Sequence, residues 1–167
     1  MKALLQRVTQ AAVEVDFECV GRIEKGLLVF VGFEKGDDRV LADKMLDKLL
    51  AYRIFADDEA RMNRSVVEVE GGVLLVSQFT LSADTQKGLR PSFSGALAPA
   101  DALILYDYML RELRSRHGDV AAGEFGAGMS VSLTNDGPVT FLLDMRNSVF
   151  NVRLTQRDES QPFVKQR

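Results

Sequence analysis

The chain has little with which to move protons or electrons: in 167 residues there is one cysteine, Cys19, and one histidine, His117. A single cysteine excludes an intrachain disulfide. The pair leaves too few soft ligands for a structural zinc, and no Cys/His dyad away from these two residues. A reducing cytosol is the expected setting, with no metal or other cofactor. Long apolar runs are also missing. No stretch reaches the roughly 18 apolar residues of a membrane span, and the opening MKALLQRVTQ has no long apolar core behind its one lysine. The chain therefore reads as soluble, cytoplasmic and without a membrane partner. Its formal net charge of −3 argues against a protein that coats nucleic acid non-specifically, which needs many cations to neutralise phosphates.

The catalytic signatures that are absent narrow the chemistry further. There is no GxSxG elbow, no HExxH, no CxxC and no GxxxxGK[ST] loop. A serine hydrolase needs a base for its nucleophile, and the one candidate, His117, falls at the end of a helix that reads as exposed. Asp57 and Asp58 are paired carboxylates, but Glu59 and Arg61 beside them make the stretch read as solvated surface.

What is present, 46% hydrophobic and 27% charged residues, suits one globular domain with a continuous core. Alternation around Leu5, Arg7 and Thr9, and then around Ala11, Val13, Val15 and Phe17, reads as two adjoining strands. Gly21 and Gly26 mark a turn region. Leu27-Leu28-Val29-Phe30-Val31 is apolar on both parities, as a strand covered on both faces should be. Asp37 or Asp38 caps a first helix with Leu41, Met45, Leu46 and Leu49 at helical spacing. Pro99 opens a second, with Ala102, Leu105, Tyr106, Met109, Leu110 and Leu113 on one stripe, ending near His117-Gly118. Residues 129–133 and 139–143 read as strands joined by Asn135-Asp136-Gly137-Pro138. Seven to nine strands, two long helices and strands adjacent in sequence at both ends favour a mixed α+β layering over simple βαβ alternation.

Two segments hold the candidate chemistry. Val73-Leu74-Leu75-Val76 runs as a buried strand into Ser77-Gln78-Phe79-Thr80-Leu81, placing hydrogen-bonding groups at a strand end. These groups suit binding and orientation better than proton transfer. If they are catalytic, backbone N–H groups near Phe79 and Thr80 could hold an oxyanion, with Thr80 as a hydrogen-bonding group or as a nucleophile without a visible base. The segment reads equally as an ordinary strand end whose hydroxyls satisfy the turn. Gly137-Pro138 by itself reads as a turn between strands.

These two segments, Ser77-Gln78-Phe79-Thr80-Leu81 and Asn135-Asp136-Gly137-Pro138-Val139-Thr140, resemble in order and position the two signature motifs of the D-aminoacyl-tRNA deacylases. Arg7-Val8, Gly26-Leu27-Leu28-Val29, Lys87-Gly88, Arg90-Pro91-Ser92-Phe93 and Phe125-Gly126-Ala127 with Met129 agree as well, so the resemblance covers about residues 1–150. It implies a three-layer β/β/α domain over residues 1–154, mostly antiparallel, with a flexible tail over 155–167. It implies a hydrolase that releases the D-amino acid from the 3′ end of D-aminoacyl-tRNA and also deacylates glycyl-tRNA, with no part for DNA. The homodimer it implies carries active sites at the subunit interface, where Gly137-Pro138, in the cis form, enters the partner's site and excludes L-amino acids.

By the same resemblance, Ser77, Gln78, Phe79 and Thr80 line the catalytic site, Phe125 and Met129 contact the terminal adenosine, and the tRNA 2′-hydroxyl assists catalysis. Lys87 and Arg90 are candidates for acceptor-stem phosphates. The residues leave two competitors: a small-molecule esterase or amidase using Thr80, and a non-catalytic RNA-binding module.

Overall fold

The computed structural model describes residues 1–86 and 88–146. Its elements run β1 (Lys2–Val15), β2 (Glu18–Ile23), β3 (Gly26–Gly32), α1 (Arg39–Ala51), β4 (Phe55–Ala56), β5 (Met62–Arg64), β6 (Gly72–Ser77), α2 (Pro99–Arg116), β7 (Val120–Ala122) and β8 (Ser130–Asp144). A one-turn 3-10 helix, Phe79–Ser82, follows β6. The tail over 155–167 and Lys87 lie outside the described residues.

The long strand β1 organises the sheet. It pairs antiparallel with β2, β3 and β8, while β6 lies parallel to β3 and β7 parallel to β6. Parallel neighbours need a long crossover, and α1 and α2 supply the two that are required here. The result is a mixed α+β fold with mostly antiparallel strands and a nearly closed sheet, since β2 returns to β7.

The double parity of residues 27–31 has a direct cause in two cores. Leu27, Val29 and Val31 face the helices with Leu5, Val73 and Leu75, against Leu46, Leu49, Met109 and Leu113. Leu28 points the other way, into a second cluster with Val8, Val13, Leu74 and Val76. Helices, central sheet and the curled β2/β8 side are thus stacked in that order. Asp38 caps α1, accepting from Leu41 N at 2.8 Å. Pro99 opens α2, where its missing N–H costs nothing.

Three sequence expectations need correction. The two adjoining strands near the start are one strand, Lys2–Val15, whose inward parity shifts between Leu5 and Ala11, where its register against β8 is irregular. Its turn comes at Asp16 and Phe17, both at positive φ (49° and 68°), a two-residue hairpin matched to strand twist. Gly21 is not in a turn but inside β2, where a Cβ would lie 2.5 Å from Ala122 O; its lack of a side chain lets β2 approach β7. Residues 129–133 and 139–143 are likewise not two strands around a turn. Met129 precedes, and the rest belong to, one strand, β8, paired with β1 on both sides of a bulge.

Candidate functional site

A cleft of about 780 Å³ opens at the carboxyl ends of the parallel strands β3 and β6. Such ends are where crossover chains diverge and leave room for a ligand. Its floor is Val31, Phe33, Val76 and Ser77; one wall is the segment 93–99 with Ala102 of α2, and the other is the loop 125–129. Gln78 and Phe79 stand at the rim between them.

The strand end is built as follows. Ser77 is the last residue of β6 and is registered with Val31. Gln78 N donates to Val31 O at 2.7 Å, which turns the chain away from the sheet into the 3-10 turn. The first N–H groups of such a turn have no acceptor within it. Those of Phe79 and Thr80 find none elsewhere among the described residues. The Thr80 hydroxyl accepts from Gln78 Nε2 at 2.5 Å and is not among the cleft-lining groups. Phe79, 62% exposed, is held by the Phe93 ring at 5.0 Å between centroids.

The opposite wall is fixed by Tyr106, which is buried and donates to two carbonyls, Leu75 O at 3.0 Å and Gly123 O at 3.2 Å. Its ring lies 5.6 Å from that of Phe125, so the phenol ties the β6 backbone to the loop bearing Phe125 and Met129. Tyr106→Phe removes the one phenol proton shared by the two carbonyls, of which Leu75 O still accepts from Gly123 N at 2.9 Å, and is expected to lower stability by about 1–3 kcal/mol in urea denaturation. Burial also pushes the Tyr106 phenol from 10.0 up to about 12. The folded protein therefore holds this proton more tightly than the unfolded chain. The stability involved is whole below about pH 10 and is lost as pH rises towards 12, a limb that Tyr106→Phe should remove.

Gly137 and Pro138 are joined by a cis peptide bond and are exposed, away from the cleft of their own chain. Between Gln6–Thr140 and Val8–Asn135 the ladder spends five residue steps on β8 against two on β1, so residues 136–139 arch out opposite Arg7. Arg7 supports the arch from below. Its Nη1 donates to Ile54 O at 2.6 Å, and its Nε lies 2.8 Å from Asp136 Oδ2, off the axis a hydrogen bond requires. Asn135 Nδ2 closes the base by donating to Arg7 O at 2.8 Å and Val139 O at 3.1 Å.

The fold thus brings Ser77, Gln78, Phe79, Phe125 and Met129 to one cleft and leaves Thr80, Gly137 and Pro138 out of its lining. Arg90 is exposed and does not line it either. His117 caps α2 and bonds Gly71 O through Nε2 at 2.7 Å, at the end of β6 opposite the cleft. The sequence reading missed the 93–99 wall, Tyr106 as a tie and Lys35 at the mouth. Phe93 had a sequence signal in Arg90-Pro91-Ser92-Phe93; the others had none beyond their periodicity.

An apolar cleft at strand ends, bordered by few hydrogen-bonding groups, defines a binding fold whose chemistry relies on position. The model of the family described as D-Tyr-tRNA(Tyr) deacylase matches residues 4–144, and the chain belongs to that family. The D-aminoacyl-tRNA deacylase of Cellvibrio japonicus (strain Ueda107) is 59% identical over 145 residues, covering 87% of this chain and 99% of its own. That of Stutzerimonas stutzeri (strain A1501) is 60% identical over 144 residues, covering 86% and 99%. A solved structure described as c-Myc DNA Unwinding Element Binding Protein superposes with TM-score 0.84 at 36% identity, over 87% of this chain and 99% of its own. A probable eukaryotic D-amino acid tRNA deacylase shares the fold, with TM-score 0.74 at 21% identity over 86% and 98%.

Proposed function

We propose that this chain hydrolyses the ester of D-aminoacyl-tRNA and of glycyl-tRNA and rejects the L-enantiomers. One observation carries the reading: the cleft lining contains no histidine, cysteine or carboxylate. A reaction run there must bring its own proton carrier. An aminoacyl-tRNA does so, because the 2′-hydroxyl of the terminal adenosine adjoins the ester. Ser77, Gln78 and Phe79 orient the ester, and the N–H group of Phe79 receives the developing oxyanion, worth about 3 kcal/mol. Phe125 and Met129 offer an apolar, polarizable face to adenine.

Enantiomer choice falls to Gly137 and Pro138. Because they stand clear of their own cleft, the reading requires a homodimer in which each arch enters the partner's site. Its main-chain carbonyls would meet the substrate's α-amino group and leave no space for an L side chain. A filter of main chain reads the chiral centre and ignores the side chain's identity, so glycine passes. Arg90, and Lys87 with it, serve phosphates further along the acceptor stem, and a salt-insensitive affinity for tRNA would count against both.

The test is ester loss from matched D- and L-aminoacyl-tRNA. Hydrolysis of the D form with the L form spared is expected; equal rates, or none on either, would remove the proposal. Thr80→Ala in the same assay should stay near the wild-type rate, since the hydroxyl's neighbour is an amide that takes no proton. Complete loss would reinstate the nucleophile.

A further inference from the structure

We propose that Lys35 binds the phosphate on the 5′ side of the substrate's terminal adenosine and so sets the direction in which the 3′ end lies in the cleft. This rests on the aminoacyl-tRNA reading above. Lys35 carries the single formal charge among the cleft-lining residues, which are otherwise largely apolar.

Its backbone is fixed from both sides. Glu34 to Asp37 form a turn closed by Asp37 N to Glu34 O at 3.1 Å, with Gly36 at φ 89° in the third position, where a type II turn requires glycine. Lys35 N donates to Gly95 O at 2.9 Å, and Glu34 bridges Ala96, so the turn is laced to the 93–99 wall.

The acids around it are already engaged. Glu34 pairs with Lys2 Nζ at 3.1 Å and with the Met1 ammonium at 3.3 Å. Asp37 pairs with the Met1 ammonium at 2.9 Å and accepts from Glu34 N at 2.7 Å. Asp38 caps α1. No carboxylate is within ion-pairing distance of Lys35 Nζ among the described residues, so this exposed, cleft-lining residue carries an uncompensated charge.

The chemistry of the ligand selects the partner. The carboxyl of an aminoacyl group is esterified, adenine and ribose are neutral, and the α-amino group is a cation that Lys35 repels. The anion left near the ester is the phosphate one nucleoside away. An ammonium on a flexible stem suits it as a point charge beside apolar walls. The substrate then has a sense in the cleft: phosphate towards Lys35, α-amino group away from it.

Binding of adenosine 5′-monophosphate and of adenosine, followed by NMR shift titration on the full chain, tests this without any ester chemistry. The wild-type protein should bind the nucleotide about tenfold more tightly than the nucleoside, the size of a charge-assisted contact at an exposed rim. Lys35→Ala should bring the ratio close to one, and Lys35→Arg should keep most of it. For tRNA carrying a single-stranded 3′ end, Lys35→Ala should reduce the slope of log affinity against log salt by about 0.7. An unchanged nucleotide preference in Lys35→Ala overturns the proposal, as does a wild-type protein that shows no preference or binds neither probe. Failure of the deacylase reading would appear separately, as no turnover of D-aminoacyl-tRNA, while the nucleotide ratio still decides the role of Lys35.

Discussion

Gly26→Ala is expected to cost more than about 4 kcal/mol of stability, or to prevent folding, which few single methyl additions do. Gly26 and Gly72 are direct partners in the parallel pair of β3 and β6. A Cβ at Gly26 would lie 1.9 Å from Gly72 O and 2.7 Å from Gly72 C and N. All three are backbone atoms, so no rotamer change relieves the overlap. The alternative partner position is also closed, since a Cβ at Gly72 would meet Asp119 Oδ2 at 2.7 Å and Ile23 Cβ at 2.9 Å. The strands can respond only by separating, and the cleft floor is their other end. Urea denaturation with Gly128→Ala as control checks this: nothing lies within 4 Å of a Cβ at Gly128, so that change should stay within about 0.5 kcal/mol. A Gly26→Ala protein within about 1 kcal/mol of wild type would contradict the close approach of the two backbones.

Gly137→Ala is expected to do the opposite, leaving the fold intact while reducing D-aminoacyl-tRNA hydrolysis about 100-fold, the scale of a displacement near 1 Å at a reacting centre. Within its own chain the added methyl meets only Asn135 Oδ1, at an ordinary 3.5 Å. Lost activity with an unchanged Tm would therefore come from what the arch faces outside its own chain. Mixing decides which cleft that is. Ala127→Trp fills the cleft from its loop wall. Each variant alone should be strongly impaired, whereas a randomised mixture should regain about a quarter of the wild-type rate: half the dimers are mixed, and each has one intact pairing of cleft and arch. No recovery would mean that the arch serves its own chain or no cleft at all.

The two signature segments differed in how much the residues alone could say. Residues 73–76 are apolar without interruption because the strand is covered by both cores, and that pattern is visible in a linear sequence. The arch at 136–139 is not visible in the same way. Asn, Asp, Gly and Pro in succession look like any turn, and only the shift of register against β1, with Arg7 beneath, makes it an outward loop within a continuous strand. Gly21 misled for a related reason: glycine marks turns and close backbone contacts alike, and the contact here is with a strand about 100 residues further along.

The sequence by itself determined the helices and the central strands, because these depend on local periodicity, capping and residue type. It also carried the family, through motifs that stay linear. Tertiary structure decided that Lys35 and Phe93 share a mouth with Ser77, that Tyr106 ties the loop bearing Phe125 to β6, and that Gly137 and Pro138 stand away from their own cleft. Those relations join residues distant in the chain through strand register and crossovers, and register is set by cooperative packing of the whole sheet rather than by any segment's own preference.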